Sequence, residues 1–132
     1  MKKILLILGL LVFTAARCNA DDYTKFFKAL HQVEAGGSLS PKDGDNGKAI
    51  GPFQIWRVYW QDSRVSGHYE QVRDYEYAKK VIAAYMQRYA PKAWKDHDYE
   101  TLARIHNGGP KGHQKAATIA YWQKVKKELE KN

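Results

Sequence analysis

The 132-residue sequence holds one cysteine, Cys18, with four prolines and two methionines. With one cysteine, no disulfide can close within the chain, and neither a cysteine-ligated zinc site nor a dithiol redox motif can be built. The five histidines, His31, His68, His97, His106 and His113, are dispersed. No metal site and no cofactor are therefore expected. Long apolar runs are nearly absent as well. The only one, Ile4 to Phe13, is about half of the ~20 residues a membrane-crossing helix requires, which excludes stable membrane insertion as an expectation. No internal repeat, linker, low-complexity tract or nucleic-acid-binding motif is present, and the basic residues are scattered, so nucleic acid is not an expected partner.

What is present begins with a leader. Met1-Lys2-Lys3 is a short positive start, the apolar run follows, and Cys18-Asn19-Ala20 ends in a small-x-small pattern. Together these read as a secretory signal peptide over residues 1–20, leaving residues 21–132 as one secreted domain, extracellular or periplasmic. Cys18 leaves with the leader, so the remaining domain must be held by its core alone. Trp56, Trp60, Trp94, Trp122 and nine tyrosines supply the material for that. Removing Lys2, Lys3 and Arg17 takes the net charge from +8 to about +5. A basic exported protein suits an anionic polymer such as cell-wall glycan, nucleic acid or a membrane surface, and charge alone does not choose among them.

The coarse pattern is mostly α, with five to six helices and a small glycine-rich loop or β-hairpin near the N-terminus. Phe26, Phe27, Leu30 and Val33 lie on one helical face of Tyr23–Ala35, and Gly36-Gly37 stops that helix. Residues 38–51 read as a loop or hairpin. Pro52 suits a first helical position and places a short helix over Phe53–Trp60, followed by a polar loop over residues 61–69. Tyr75–Ala90 is the clearest helix, ended by Pro91. Asp98 begins another that runs to about His106. A last helix over Ala116–Leu129 buries Ile119, Trp122, Val125 and Leu129.

Three segments carry chemistry. Glu34 lies in the last turn of the first helix between apolar Val33 and Ala35. The negative end of the helix dipole and partial desolvation both favour a protonated carboxyl, the form a general acid uses. Read alone, it is equally an ordinary glutamate of a last helical turn. Asp45 lies eleven residues later in a glycine-rich loop, where hydration keeps an aspartate ionised. Such a pair suits glycoside cleavage, although a loop aspartate beside glycine is also a turn former, and Asp43 competes for the same role. In Gly51-Pro52-Phe53-Gln54-Ile55, the Gln54 amide offers hydrogen bonds to sugar hydroxyls or N-acetyl groups. Tyr59, Trp60, Tyr85 and Tyr89 either stack on sugar faces or belong to the core. In Ala103 to Pro110, His106, Asn107 and Gly108 stand where a helix ends at Gly-Gly-Pro, presenting polar groups at a turn.

These segments, in this order, resemble the lysozyme superfamily, and the invertebrate-type, destabilase-like lysozymes above all. The likeness runs from about Ala29 to Val125 and includes Glu34-Ala35-Gly36-Gly37, Asp45-x-Gly47, Gly51 to Ile55, Tyr59-Trp60-Gln61-Asp62, Ala84 to Tyr89, Ala103 to Pro110 and Ala117 to Val125. It implies a lysozyme-like fold and a muramidase that cleaves the β-1,4 bond between N-acetylmuramic acid and N-acetylglucosamine with retention. Glu34 would be the general acid and Asp45 the nucleophile or charge stabiliser, about 5–5.5 Å apart as in retaining pairs, of which lysozyme is the type case. Gln54, Tyr59, Tyr85, Tyr89, His106, Asn107 and Gly108 would bind substrate. The implied partners are peptidoglycan glycan strands and proteinaceous lysozyme inhibitors, the implied state a monomer.

Two departures stand out. Animal members are rich in disulfides, whereas the cysteine-free pattern and short Lys-Lys leader resemble bacterial members. The serine-bearing stretch tied to isopeptidase activity in some animal members reads Lys48-Ala49-Ile50 here, so that activity is expected to be absent. A rival reading is a lytic transglycosylase, which needs Glu34 but no aspartate partner. Another is a non-enzymatic cationic wall-binding protein acting through Lys124, Lys126, Lys127 and Lys131.

Overall fold

The computed structural model describes residues 20–131; residues 1–19 of the expected leader, Cys18 among them, lie outside the described residues. Helix α1 (Ala20–Ala35) is followed by a two-stranded antiparallel hairpin, β1 (Ala49–Ile50) and β2 (Ile55–Trp56). Its register pairs Ala49 with Trp56 and Ile50 with Ile55. Helices α2 (Arg57–Ser63), α3 (Tyr75–Tyr89), α4 (Pro91–Lys95), α5 (Tyr99–Gly108) and α6 (Ile119–Glu130) complete the order. Short 3-10 turns lie at Asp45–Gly47, Tyr69–Arg73, Gly112–Gln114 and Ala116–Thr118. None of the described helices is long and apolar enough to cross a membrane.

Helix α1 ends at the double glycine as its pattern requires, and it buries Phe26, Phe27 and Leu30, with Val33 half-buried. The His31 ring, buried on the same helix, donates from Nε2 to the Ser38 carbonyl at 2.7 Å. That bond folds the outgoing chain back over the helix end. The Asp98 carboxylate accepts from the Thr101 backbone N–H, capping α5. Phe26, Leu30, Phe53, Ile55, Ile82, Met86, Leu102, Ile105 and Val125 are fully buried in one cluster joining α1, α3, α5, α6 and the hairpin. Aromatic rings tie the N-terminal helix to the rest of the domain. Tyr23 stacks on Trp94 at 3.8 Å and Phe26 on Tyr99 at 4.9 Å, and the Tyr23 hydroxyl donates to the Trp94 carbonyl.

Three expectations need correction, and a fourth, the stop at Pro91, holds with an addition. The short helix starts at Arg57 rather than Phe53, because Gly51 to Gln54 form the hairpin turn. A side chain at Gly51 would place its Cβ 2.3 Å from the Val72 carbonyl oxygen, and Gly51 has φ +77°, so this approach admits only glycine. Pro52 therefore serves the turn, not a helix. Residues 61–69 are helical to Ser63, and a 3-10 turn begins at Tyr69. Pro91 does stop α3, but it occupies the first turn of α4, where its missing N–H costs nothing. The last helix starts at Ile119 rather than Ala116, and Ile119 is 47% exposed because at 3.6 residues per turn it lies about 120° round α6 from buried Val125, at the edge of the apolar stripe.

Candidate active site

The chemistry gathers where the ends of α1, α5 and α6 meet the hairpin. Glu34, one residue from the end of α1, has a side chain 19% exposed. Its Oε1 accepts from the Tyr121 hydroxyl of α6 at 2.7 Å and lies 3.5 Å from His106 Nε2 of α5. His106, with a side chain 3% exposed, has Nε2 3.2 Å from the Phe53 carbonyl oxygen and Nδ1 3.1 Å from the Tyr59 hydroxyl. A carbonyl only accepts, so Nε2 carries a hydrogen, and the Tyr59 hydroxyl is the partner of Nδ1. The N–H at Nε2 thus sits between a backbone carbonyl and the Glu34 carboxyl. No partner engages Glu34 Oε2 among the described residues.

The Tyr59 ring stacks on Tyr85 at 3.7 Å. These two rings wall a cavity of about 260 Å³ that is also lined by Gln54, Trp56, Asp62, His106 and Asn107. Asp45 approaches from the loop side, where the exposed indole of Trp56 donates from Nε1 to Asp45 Oδ2 at 3.1 Å. Trp56 and His106, the partners of the two carboxylates, therefore face one cavity. Asp45 and Asn46 both hold left-handed backbone, φ +48° and +57°, which costs energy in residues other than glycine. The loop is closed around them by paired backbone bonds between Gly44 and Ala49, which keep Asp45 in that conformation.

Asp43 is separated from this arrangement. It forms a bidentate pair with Arg73 at 2.7 and 3.0 Å. The hydrogen bonds from that guanidinium hold its carboxyl below the usual aspartate range. The Gln54 amide donates to the Lys42 and Gly51 carbonyls at 3.3 and 3.1 Å. It fastens the loop bearing Asp45 while lining the cavity. Tyr89 lies tilted against Tyr85 but lines a different cavity, with Pro91 and His113. Gly108 supplies a carbonyl to the Lys115 ammonium, and a Cβ there would meet Thr118 Cγ2 at 2.5 Å, so its place is fixed by packing. Among the described residues no three His, Cys, Asp or Glu side chains gather as a metal site.

Tyr121 and Trp56 are contacts that pattern reading did not single out. Tyr121 stands in an amphipathic helix like any packing residue. Its signal is that a buried phenol needs a hydrogen-bond partner, but the partner is 87 residues away. Burial above all, with the nearby Glu34 charge adding to it, pushes the Tyr59 and Tyr121 hydroxyls well above the ordinary phenol value. Burial likewise lifts Tyr85 to about 12. For a group whose folded pKa is raised, the unfolded chain loses its proton first as pH rises. Stability is then complete below pH 10, the ordinary phenol value, and falls as pH climbs from there through the folded value. Ultraviolet titration of tyrosinate should therefore show a late phase coincident with unfolding; three independent early phases for these residues would contradict the geometry.

The Destabilase family model matches residues 24–128. A lysozyme of Ostrea edulis is 40% identical over 82 residues, covering 61% of this chain and 60% of that protein. A lysozyme of Magallana gigas is 39% identical over 79 residues, covering 58% of each. The chain thus spans less than two thirds of the length of these relatives. Among solved structures, Meretrix lusoria lysozyme in complex with Aeromonas hydrophila PliI superposes with a TM-score of 0.65 at 31% identity, covering 78% of this chain and 87% of that one. Tapes japonica lysozyme gives 0.64 at 30%, with the same coverage. Glu34, His106, Tyr121 and Trp56 all fall inside the matched span, and the chain belongs to the Destabilase family.

Proposed function

We propose that this protein is a secreted muramidase that hydrolyses the β-1,4 bond between N-acetylmuramic acid and N-acetylglucosamine in peptidoglycan. Glu34 acts as general acid through Oε2, and Asp45 acts as nucleophile or charge stabiliser with retention. The observation that carries this reading is the unlike setting of the two carboxylates, whose hydrogen-bond or ion-pair partners, His106 and Trp56, line one cavity. Glu34 is sheltered and held through a single oxygen by Tyr121 and His106. Asp45 is exposed and carries one indole hydrogen bond. The Arg73 pair on Asp43 supports Asp45 as the second carboxylate. His106 and Tyr59 keep the acid's surroundings in register, Trp56 and Asn107 offer a ring face and an amide to sugar, and Tyr85, buried and stacked on Tyr59, backs the cavity wall.

Residues 1–20 act as the secretory leader and residues 21–132 as the exported catalytic domain, a monomer. A proteinaceous inhibitor is a further partner, by likeness to the Meretrix lusoria lysozyme bound to PliI. The test is digestion of purified peptidoglycan with the protein and with Asp45→Asn, the products being read by mass spectrometry. New reducing muramic acid ends from the wild type, lost in Asp45→Asn, are expected. Anhydro ends that persist in Asp45→Asn would replace the hydrolase with a transglycosylase. No cleavage by the wild type would leave a wall-binding protein.

A further inference from the structure

A second cavity, of about 420 Å³, adjoins the first. Trp56 and Val58 line both, so the two are separated only by this exposed apolar ridge, 42% and 58% accessible. The charges around the second cavity are unevenly matched. Arg73 is saturated, with Asp43 on its two terminal nitrogens and Glu70 on Nε. Lys48 and Arg57 form no ion pair with any described acid. Instead they are held over aromatic faces, the Lys48 ammonium 5.7 Å from the Trp56 ring and the Arg57 guanidinium 4.4 Å from the Tyr69 ring. Tyr69 is itself fixed, its hydroxyl donating to the Lys48 and Ile55 carbonyls at 3.0 and 2.7 Å. Two cations are therefore pre-positioned beside the ridge, with their hydrogen-bond donors uncommitted.

We propose that this second cavity seats the anionic stem peptide of the wall substrate, with Lys48 and Arg57 binding its carboxylates. The inference rests on the muramidase reading and adds a determinant of specificity to it. Each muramic acid residue bears, through its lactyl ether, a peptide that ends in carboxylates. A glycan lying in the first cavity must project that branch sideways, and across the Trp56–Val58 ridge it meets these two cations. Guanidinium and ammonium donors to carboxylate are charge-assisted hydrogen bonds, stronger than neutral ones.

The test compares two glycan substrates, both freed of wall phosphate polymers so that the peptide is the only large anion. One retains its stem peptides and the other has been stripped of them by an amidase, which leaves on each muramic acid only the short lactyl carboxylate, next to the sugar ring and without the reach of the peptide. Wild-type kcat/KM should be higher on the stem-bearing glycan. Lys48→Gln with Arg57→Gln should lower it there roughly tenfold, the size expected for one or two charge-assisted bonds, and leave the stripped glycan unaffected. Lys48→Arg with Arg57→Lys should restore most of the difference. An equal loss on both substrates, or a wild type that does not distinguish them, overturns the assignment. Failure of the wild type to cleave either glycan overturns the muramidase reading, and this inference falls with it.

Discussion

Glu34→Gln is expected to lower turnover on peptidoglycan roughly 10²–10⁴-fold, the range that a positioned general acid contributes. The substitution keeps the shape and an acceptor oxygen for the Tyr121 hydroxyl, and it still faces His106 Nε2. What it removes is the transferable proton at the second oxygen. Because the hydrogen bond survives, thermal stability should move by less than about 1 kcal/mol, and pull-down on insoluble peptidoglycan should be unchanged. Initial rates and binding measured on one preparation separate the cases. Rates that survive would remove Glu34 from the mechanism. Rates and binding that fall together would make it a binding group.

Phe53→Ala should bring the largest loss of stability. Its side chain is fully buried, with ring centroids 5.0 Å from Tyr75, 5.8 Å from His31 and 6.0 Å from Phe27. Truncating such a residue costs about 3–5 kcal/mol, against a total of ~5–15 kcal/mol for a domain. A fall in Tm on the order of 15 °C or more follows for a chain of this size. The consequence reaches the site, since the Phe53 carbonyl is one of two acceptors that orient the His106 N–H. Phe53→Leu, which keeps most of the volume, should retain most of the stability. Calorimetry of both variants decides it, and a shift of only a few degrees for alanine would mean that the hairpin turn is not the keystone of this core.

Local rules were most legible where one residue decides one event. Gly36-Gly37 stopping α1 and Asp98 capping α5 each depend on a group and its neighbour in sequence. The hairpin turn was harder, because Gly51-Pro52 is compatible both with a turn and with a helix start. What selects the turn is the Val72 carbonyl, packed where any side chain would sit. Ile119 is apolar and helical yet exposed, because it lies about 120° round the helix from Val125, at the edge of the stripe and not at its centre. The candidate site divides along the same line. Glu34, His106 and Asn107 were readable as polar groups at helix ends, whereas the Tyr121 contact depends on two helices docking. The separate fates of Asp43 and Asp45 depend on where Arg73 reaches. Neither is a property of a short window.

The hydrogen bond from Tyr121 to Glu34 joins residues near opposite ends of the folded chain. During synthesis Glu34 leaves the ribosome long before Tyr121 does. A growing chain therefore carries its acid without the hydroxyl and the helix that shelter it, and it can form the complete setting only once α6 has been made and has docked. Completion of this setting is in this way a late event in the life of the polypeptide.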